Sequence, residues 1–173
     1  MAIEQHRTTL VLGGARSGKS RYAERLALQS GRDPVYVATA QVLDDEMAGR
    51  IATHQERRGP DWTTIEEPIE LVEALRRECR RDRTVLVDCL TLWLTNLMVA
   101  ERPVETESAA LVRALRELAG PVILVSNEVG QGIIPDNAMA RRFVDHAGWL
   151  HQGIAEQAEA VVFMTAGLPQ RLK

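Results

Sequence analysis

Near the start of the chain stands Thr8-Thr9-Leu10-Val11-Leu12-Gly13-Gly14-Ala15-Arg16-Ser17-Gly18-Lys19-Ser20. Its first five residues are apolar or β-branched and predict a buried strand. The next eight fit the pattern G-x-x-x-x-G-K-[ST] at every fixed position. An amphipathic segment follows at once and predicts a helix over Lys19–Gln29. The sequence therefore predicts a strand, a glycine-rich loop and a helix in direct succession.

A loop of this kind binds phosphate, because glycines let successive N–H groups point inward and the helix N-terminus adds partial positive charge. Lys19 should neutralise the β and γ oxygens of a nucleoside triphosphate, and the Ser20 hydroxyl should meet Mg²⁺. The predicted nucleotide-binding residues are Gly13, Gly14, Ala15, Arg16, Ser17, Gly18, Lys19 and Ser20. A chance glycine-rich turn is the alternative, and the strand and helix on either side argue against it.

Short β-branched runs alternate with helix-period segments along the chain. The predicted strands are Thr8–Leu12, Val35–Ala38, Thr84–Val87, Val122–Val125 and Val161–Thr165. The predicted helices are Lys19–Gln29, Asp45–Arg57, Ile69–Arg81, Thr91–Ala100, Thr106–Ala119 and Ala138–Ala158, and the segment Arg58–Glu67 is predicted to be a long connection. This alternation predicts an α/β, P-loop NTPase-like fold, a mostly parallel sheet flanked by helices on both faces.

Length and composition favour one compact domain over residues 1–173, since the chain is 173 residues long and 45% hydrophobic, without repeats or Gly/Ser linkers. A net charge of −3 argues against a chain that coats nucleic acid or an anionic membrane. The longest apolar run is interrupted by polar residues and is too short for a membrane span. With no secretory signal pattern and only two cysteines, a cytoplasmic location is expected.

A carboxylate at the end of a neighbouring strand completes a magnesium site in proteins of this fold. Asp88 follows the predicted strand Thr84–Val87 and is the candidate. Its alternative role is an N-cap of the helix that starts just after it.

The spacing of the histidines and cysteines gives a structural interpretation of each. The position of His54 on a predicted helix face favours a packed or surface residue over a nucleophile. His146 and His151, five residues apart, are expected to be scattered surface histidines, and Cys79 and Cys89 inert core thiols. The segment Ser126–Asn137 is expected to form a polar, glycine-rich loop at the edge of the sheet where parallel strands end.

Several segments together resemble a known enzyme family, the bifunctional adenosylcobinamide kinase and adenosylcobinamide-phosphate guanylyltransferase of cobalamin biosynthesis. The resemblance covers nearly the whole chain and rests on Gly13–Ser20 with Arg21 and Glu24, Ala38–Gln41, Asp44–Met47, Arg50-Ile51, His54, Arg58, Pro60, Trp62, Asp88–Thr91, Asn96-Leu97, Ser126–Gly130 and Ile134-Pro135.

The resemblance implies two reactions. ATP or GTP phosphorylates the aminopropanol hydroxyl of adenosylcobinamide, and GTP then donates GMP to that phosphate through a guanylylated histidine, which matches His54. It also implies nucleotide contacts at Thr39, Ala40, Gln41 and Glu66, and a homotrimer. The chemistry of the transfer requires cations near the nucleotide, and Arg57 or Arg58 is expected to cover the α-phosphate or the base side. The family's strand-end carboxylate can be Glu, so Asp88 is a shorter variant.

Two other functions remain open at this stage. A simple small-molecule kinase would use the same loop with a structural His54. A nucleotide-dependent regulatory module would hydrolyse slowly and exchange partners.

Overall fold

The structure, a computed structural model, describes residues 6–41 and 59–173. Within these ranges the strands are β1 (Thr8–Gly13), β2 (Asp33–Ala38), β3 (Thr63–Glu66), β4 (Arg83–Asp88), β5 (Val122–Val125), β6 (Ala160–Thr165) and β7 (Leu168–Arg171). The helices are α1 (Lys19–Gln29), α2 (Leu71–Glu78), α3 (Leu90–Val99), α4 (Val104–Leu115) and α5 (Ala138–Gln157).

All seven strands form one sheet in the order β3-β2-β4-β5-β1-β6-β7. Every neighbouring pair is parallel except β6 with β7, which is an antiparallel hairpin. The carboxyl ends of β1 to β6 therefore lie at one edge of the sheet, and the loops that follow these strands meet there. The mostly parallel α/β architecture predicted from the sequence is confirmed.

Alternating residues along the strands belong to two separate apolar cores. One core takes Leu10, Val85 and Leu124 and is covered by α2, α3, α4 and α5. The other takes Val11, Leu86 and Ile123 and packs against α1. Because side chains alternate across a strand, the two cores lie on opposite faces of the sheet.

Two strands were missed by the sequence analysis. The predicted long connection over residues 58–67 is wrong at its end, because Thr63–Glu66 pairs in parallel with β2. Three of its four residues are exposed, so it carries no apolar run. The strand β7 contains Pro169, and all four of its residues are exposed, which suits an edge strand and leaves no apolar pattern to detect.

Most helix bounds differ from the sequence predictions by a few residues. The helix predicted over Thr106–Ala119 runs from Val104 to Leu115. The side chain of Asn137 caps α5 by accepting from the Ala140 N–H at 2.8 Å. The predicted helix Asp45–Arg57 lies outside the described residues. In the described ranges, no helix combines the length and apolarity needed to cross a membrane.

Candidate functional site

The phosphate loop runs from the end of β1 to the start of α1, and two glycines shape it. Gly13 has φ 149°, and a Cβ there would lie 2.5 Å from the Met164 carbonyl oxygen and 2.7 Å from Ser17 Oγ. Gly18 has φ 97° and is the N-cap of α1. L side chains rarely adopt either conformation, so glycine is required at both ends of the turn.

Backbone hydrogen bonds hold the loop in shape. The Ser17 N–H donates to the Gly14 carbonyl at 3.3 Å, and the Gly167 N–H donates to the Ser17 carbonyl at 3.0 Å. On the other side, the Glu128 N–H donates to the Gly13 carbonyl at 3.0 Å. The loop is thus fixed between the β6–β7 turn and the segment that follows β5.

Lys19 is buried at the first position of α1, and its side-chain nitrogen donates to the Gly14 carbonyl at 2.6 Å. Burial lowers the pKa of Lys19, and the negative charge of Asp88 and the nearby Cys89 oppose this effect. The lysine therefore lies inside the loop, within electrostatic range of the β4 carboxylate.

Ser17 and Ser20 are the two serines of the phosphate loop. Ser17 Oγ is buried and has no hydrogen-bond partner in the part of the chain that the structure describes. A buried hydroxyl without a partner is costly, and a phosphate oxygen would supply one. Ser20, half-buried at the second position of α1, follows the lysine as the predicted magnesium ligand.

Asp88 ends β4, half-buried, opposite Ala38 on one side and Val125 on the other. Its alternative role as a helix cap is wrong, because Cys89 is the N-cap of α3 and no side chain caps it. Mg²⁺ in nucleotide sites is held by one or two side chains, substrate phosphates and water. The pair Ser20 and Asp88 matches this donor chemistry, with a hydroxyl at the start of α1 and a carboxylate at the end of β4.

The predicted nucleotide contacts after β2 divide into buried and exposed residues. Thr39 is fully buried; its hydroxyl donates to the Cys89 carbonyl at 2.7 Å and accepts from the Cys89 N–H at 2.9 Å. Its carbonyl accepts from the Asn96 side-chain amide at 2.7 Å. Thr39 thus ties β2 to β4 and α3, whereas Ala40 is half-buried and Gln41 exposed beyond it.

Glu66 is exposed at the end of β3 and pairs in register with Ala38. The strand β3 lies four positions from β1 in the sheet. At the usual strand spacing of about 4.8 Å, that separation is about 19 Å. The structure therefore places Glu66 beside the segment after β2 and away from the phosphate loop. His54, Arg57 and Arg58 lie outside the described residues.

A cleft of about 640 Å³ opens on the outer side of the phosphate loop. Its walls are Gly14–Ser17 on one side and Glu128, Val129, Gln131 and Gly132 on another, with Phe163–Ala166 of the β6 end completing it. The polar loop expected after β5 therefore does lie at the edge where the strands end, beside the phosphate loop.

One buried polar residue was predicted wrongly. His151 is only 9% exposed, and its Nε2 lies 2.7 Å from Ser126 Oγ. It was expected on the surface because its spacing from His146 suggested no shared face. A signal was available, since His151 shares a helical face with the apolar residues Ala147 and Ile154.

Comparison with known proteins gives the same assignment over nearly the whole chain. The family described as cobinamide kinase / cobinamide phosphate guanyltransferase matches residues 9–172. The bifunctional adenosylcobalamin biosynthesis protein CobP of Pseudomonas aeruginosa is 56% identical over 166 residues, covering 95% of this chain and 96% of the relative. The bifunctional adenosylcobalamin biosynthesis protein CobU of Escherichia coli is 37% identical, covering 95% and 98%.

Solved structures resemble the chain at the level of fold. The flagellar accessory protein FlaH from Methanocaldococcus jannaschii has a TM-score of 0.55 at 14% identity, over 98% of this chain and 79% of that one. The RadB recombinase has a TM-score of 0.53 at 17% identity, over 90% and 73%. These neighbours support the P-loop NTPase architecture alone. The family match and the two relatives show that the chain belongs to the cobinamide kinase / cobinamide phosphate guanyltransferase family.

Proposed function

We propose that this chain phosphorylates adenosylcobinamide with ATP or GTP and then transfers GMP from GTP to adenosylcobinamide phosphate. The family assignment supplies the reaction class. The observation that carries the proposal is the position of Lys19, which is buried in the phosphate loop and interacts electrostatically with Asp88. A cation and a magnesium-binding carboxylate beside a loop of N–H groups are what phosphoryl and nucleotidyl transfer both need.

In the first reaction the aminopropanol hydroxyl attacks the γ-phosphorus, the bond from that phosphorus to the bridging oxygen breaks, and the hydroxyl proton is released. Lys19 and the loop N–H groups stabilise the charge that develops on the phosphate oxygens. When bound, Mg²⁺ neutralises the β and γ oxygens, and Ser20 and Asp88 are the residues that would hold it.

In the second reaction we propose that an imidazole nitrogen of His54 attacks the α-phosphorus of GTP and displaces pyrophosphate. The phosphate of adenosylcobinamide phosphate then attacks the same phosphorus, breaks the N–P bond and yields adenosylcobinamide-GDP. A covalent intermediate divides one difficult displacement into two easier ones. Arg57 or Arg58 would neutralise charge, and Ala40, Gln41 and Glu66 would contact the nucleoside.

We also propose that the enzyme is cytoplasmic, and that it is a homotrimer, as the resemblance implies. Exposed apolar side chains offer surface for subunit contacts: Val99 is 69% exposed and Trp149 is 58% exposed. Light scattering of the purified chain tests the trimer directly.

Labelling tests the catalytic proposal. The protein incubated with α-labelled GTP should take up acid-labile label, and His54→Ala should abolish it while leaving the transfer of γ-phosphate to adenosylcobinamide in place. Label that persists in the variant would show that another residue is the nucleophile. No label on an active kinase would favour the simple kinase, and slow hydrolysis without transfer would favour the regulatory module.

A further inference from the structure

The segment Ser126–Gly130, called here the β5 loop, connects the core to the phosphate loop. Its first residue donates from its N–H to the Val11 carbonyl at 3.0 Å and so extends the pairing of β5 with β1. Two residues later, the Glu128 N–H donates to the Gly13 carbonyl at 3.0 Å. The Gly130 N–H donates to Glu128 Oε1 at 2.7 Å and closes the turn.

A buried side-chain pair anchors this loop from inside the protein. Ser126 has no exposed surface, and His151 is 9% exposed on α5. The 2.7 Å bond between Ser126 Oγ and His151 Nε2 joins them. On α5, His151 lies next to Leu150 and one turn from Ile154, both of which are buried.

A neutral His151 is suited to a structural hydrogen bond with Ser126. Burial lowers the pKa of His151, and the charge of Glu128 opposes this effect. A neutral imidazole has one donor and one acceptor nitrogen, so Nε2 can form one hydrogen bond with a hydroxyl in either tautomer. The bond therefore fixes Ser126 without a buried charge.

We propose that His151 is a positioning residue for phosphoryl transfer: through Ser126 it fixes the β5 loop, so that Glu128 and Val129 form a rigid wall of the cleft facing Gly14–Ser17. This inference rests on the proposed function. The wall is continuous with the loop that holds the transferred phosphate, so its position sets the geometry of whatever occupies the cleft.

Nucleotide affinity should depend little on this pair. The bonds that shape the phosphate loop from within join Ser17 to Gly14 and Tyr22 to Gly18, and another joins Gly167 to Ser17. The β5 loop is bonded to the phosphate loop at Gly13, its first residue, which lies before the turn that these three bonds shape. Loosening the loop should therefore lower kcat while the KM for nucleotide stays within about twofold.

Three variants test the pair. His151→Leu fills the space without a hydrogen bond, Ser126→Ala removes the hydroxyl, and His151→Gln puts an amide nitrogen where Nε2 lies. We expect the first two to lower kcat for phosphoryl transfer by on the order of tenfold, because small misplacements near reacting groups are costly. His151→Gln should recover activity to within about threefold of wild type.

A double variant and an exchange measurement complete the test. If the pair acts as a unit, His151→Leu combined with Ser126→Ala should lose no more activity than either change alone. Amide hydrogen exchange in the β5 loop should rise in His151→Leu and stay at the wild-type level in His151→Gln. His146→Leu, on the outer part of the same helix against Trp149, is the matched control and should leave both quantities unchanged.

The inference is overturned if His151→Leu matches wild type in kcat and exchange, if KM for nucleotide rises in parallel with the loss of kcat, or if His151→Gln recovers nothing. Failure of the proposed function looks different, because the wild-type chain itself would then transfer no phosphate to adenosylcobinamide.

Discussion

The side-chain nitrogen of Lys19 donates to the carbonyl of Gly14 at 2.6 Å, a hydrogen bond within the phosphate loop itself. A lysine ammonium has three N–H donors, so two remain for the oxygens of a bound phosphate. Such bonds are favourable because a charged acceptor forms a stronger hydrogen bond than a neutral carbonyl.

Replacing this lysine should therefore remove the interaction that matters most in the transition state. We expect Lys19→Ala to lower phosphoryl transfer by at least about a hundredfold, the usual loss when one group stabilising the transition-state charge is removed. Transfer from γ-labelled ATP to adenosylcobinamide measures the rate.

The matched control is Lys173→Ala, since the chain has only two lysines. The side chain of Lys173 donates to the Ala155 carbonyl at 3.0 Å near the C-terminus. Its loss should leave the rate within about twofold of wild type, as a distant surface change usually does. Equal rates in the two variants would contradict the role of Lys19.

The magnesium prediction concerns Asp88. In Asp88→Asn the metal loses a charged ligand, so nucleotide binding should no longer tighten when Mg²⁺ is added. Calorimetric titration of ATP with and without Mg²⁺ measures the difference. Asp82→Asn, on the exposed turn before β4, is the control and should retain the full response. A magnesium response that survives in Asp88→Asn would show that the ion is held elsewhere.

The sequence predicted the central strands because each is a short β-branched run buried on both faces, as Thr84–Val87 illustrates. It missed β3 and β7 because exposed edge strands bury little, and their pairing is set by neighbours distant in sequence. A hydrophobic pattern in the sequence reflects burial, and few residues of β3 and β7 are buried.

The shape of the phosphate loop could be predicted because backbone geometry dictates its residue types, whereas contacts set by tertiary packing could not. Gly13 and Gly18 are glycines because φ is positive, and this requirement is visible in the motif. The bonds of Asn96 to the carbonyls of Thr39 and Pro68, at 2.7 and 3.0 Å, join parts of the chain that no local pattern relates. The partner of His151 was hidden for the same reason.

The two thiols should be inert in the folded protein. Burial raises the pKa of Cys79 to about 12, with nearby Glu78 adding to the effect, and raises that of Cys89 to about 11, with Asp88 adding. The thiolate is the reactive form, and at pH 8 it should be roughly 10⁻³ of each thiol or less. An aromatic disulfide reagent should therefore titrate no thiol in the native protein and two in denaturant. Rapid native reaction of either cysteine would contradict this burial.

Acid should weaken the fold through His151. Burial lowers its pKa in the folded state, so the unfolded chain takes up a proton first as the pH falls below the ordinary value of 6.5. The histidine's contribution to the free energy of unfolding is thus full above that pH and is lost progressively as the pH falls through the lowered pKa. Urea unfolding at several pH values should show a smaller acid loss in His151→Gln than in wild type. Parallel pH dependences for the two proteins would exclude this cause.

Substitution by alanine should change the free energy of unfolding in opposite directions at Gly120 and Gly148. A Cβ on Gly120 would lie 1.9 Å from the Arg80 carbonyl oxygen, on the turn where the Gly120 N–H donates to the Cys79 carbonyl at 2.9 Å. Because backbone must move to admit it, Gly120→Ala should cost about 3 kcal/mol of unfolding free energy, at the upper end of ordinary overpacking. Gly148 lies within α5 and has nothing within 4 Å of the added carbon, so Gly148→Ala should stabilise the protein by about 0.5–1 kcal/mol through helix propensity. Urea unfolding of both variants measures the difference in unfolding free energy. Equal stabilities would show that the turn at Gly120 accommodates a methyl group, contrary to this prediction.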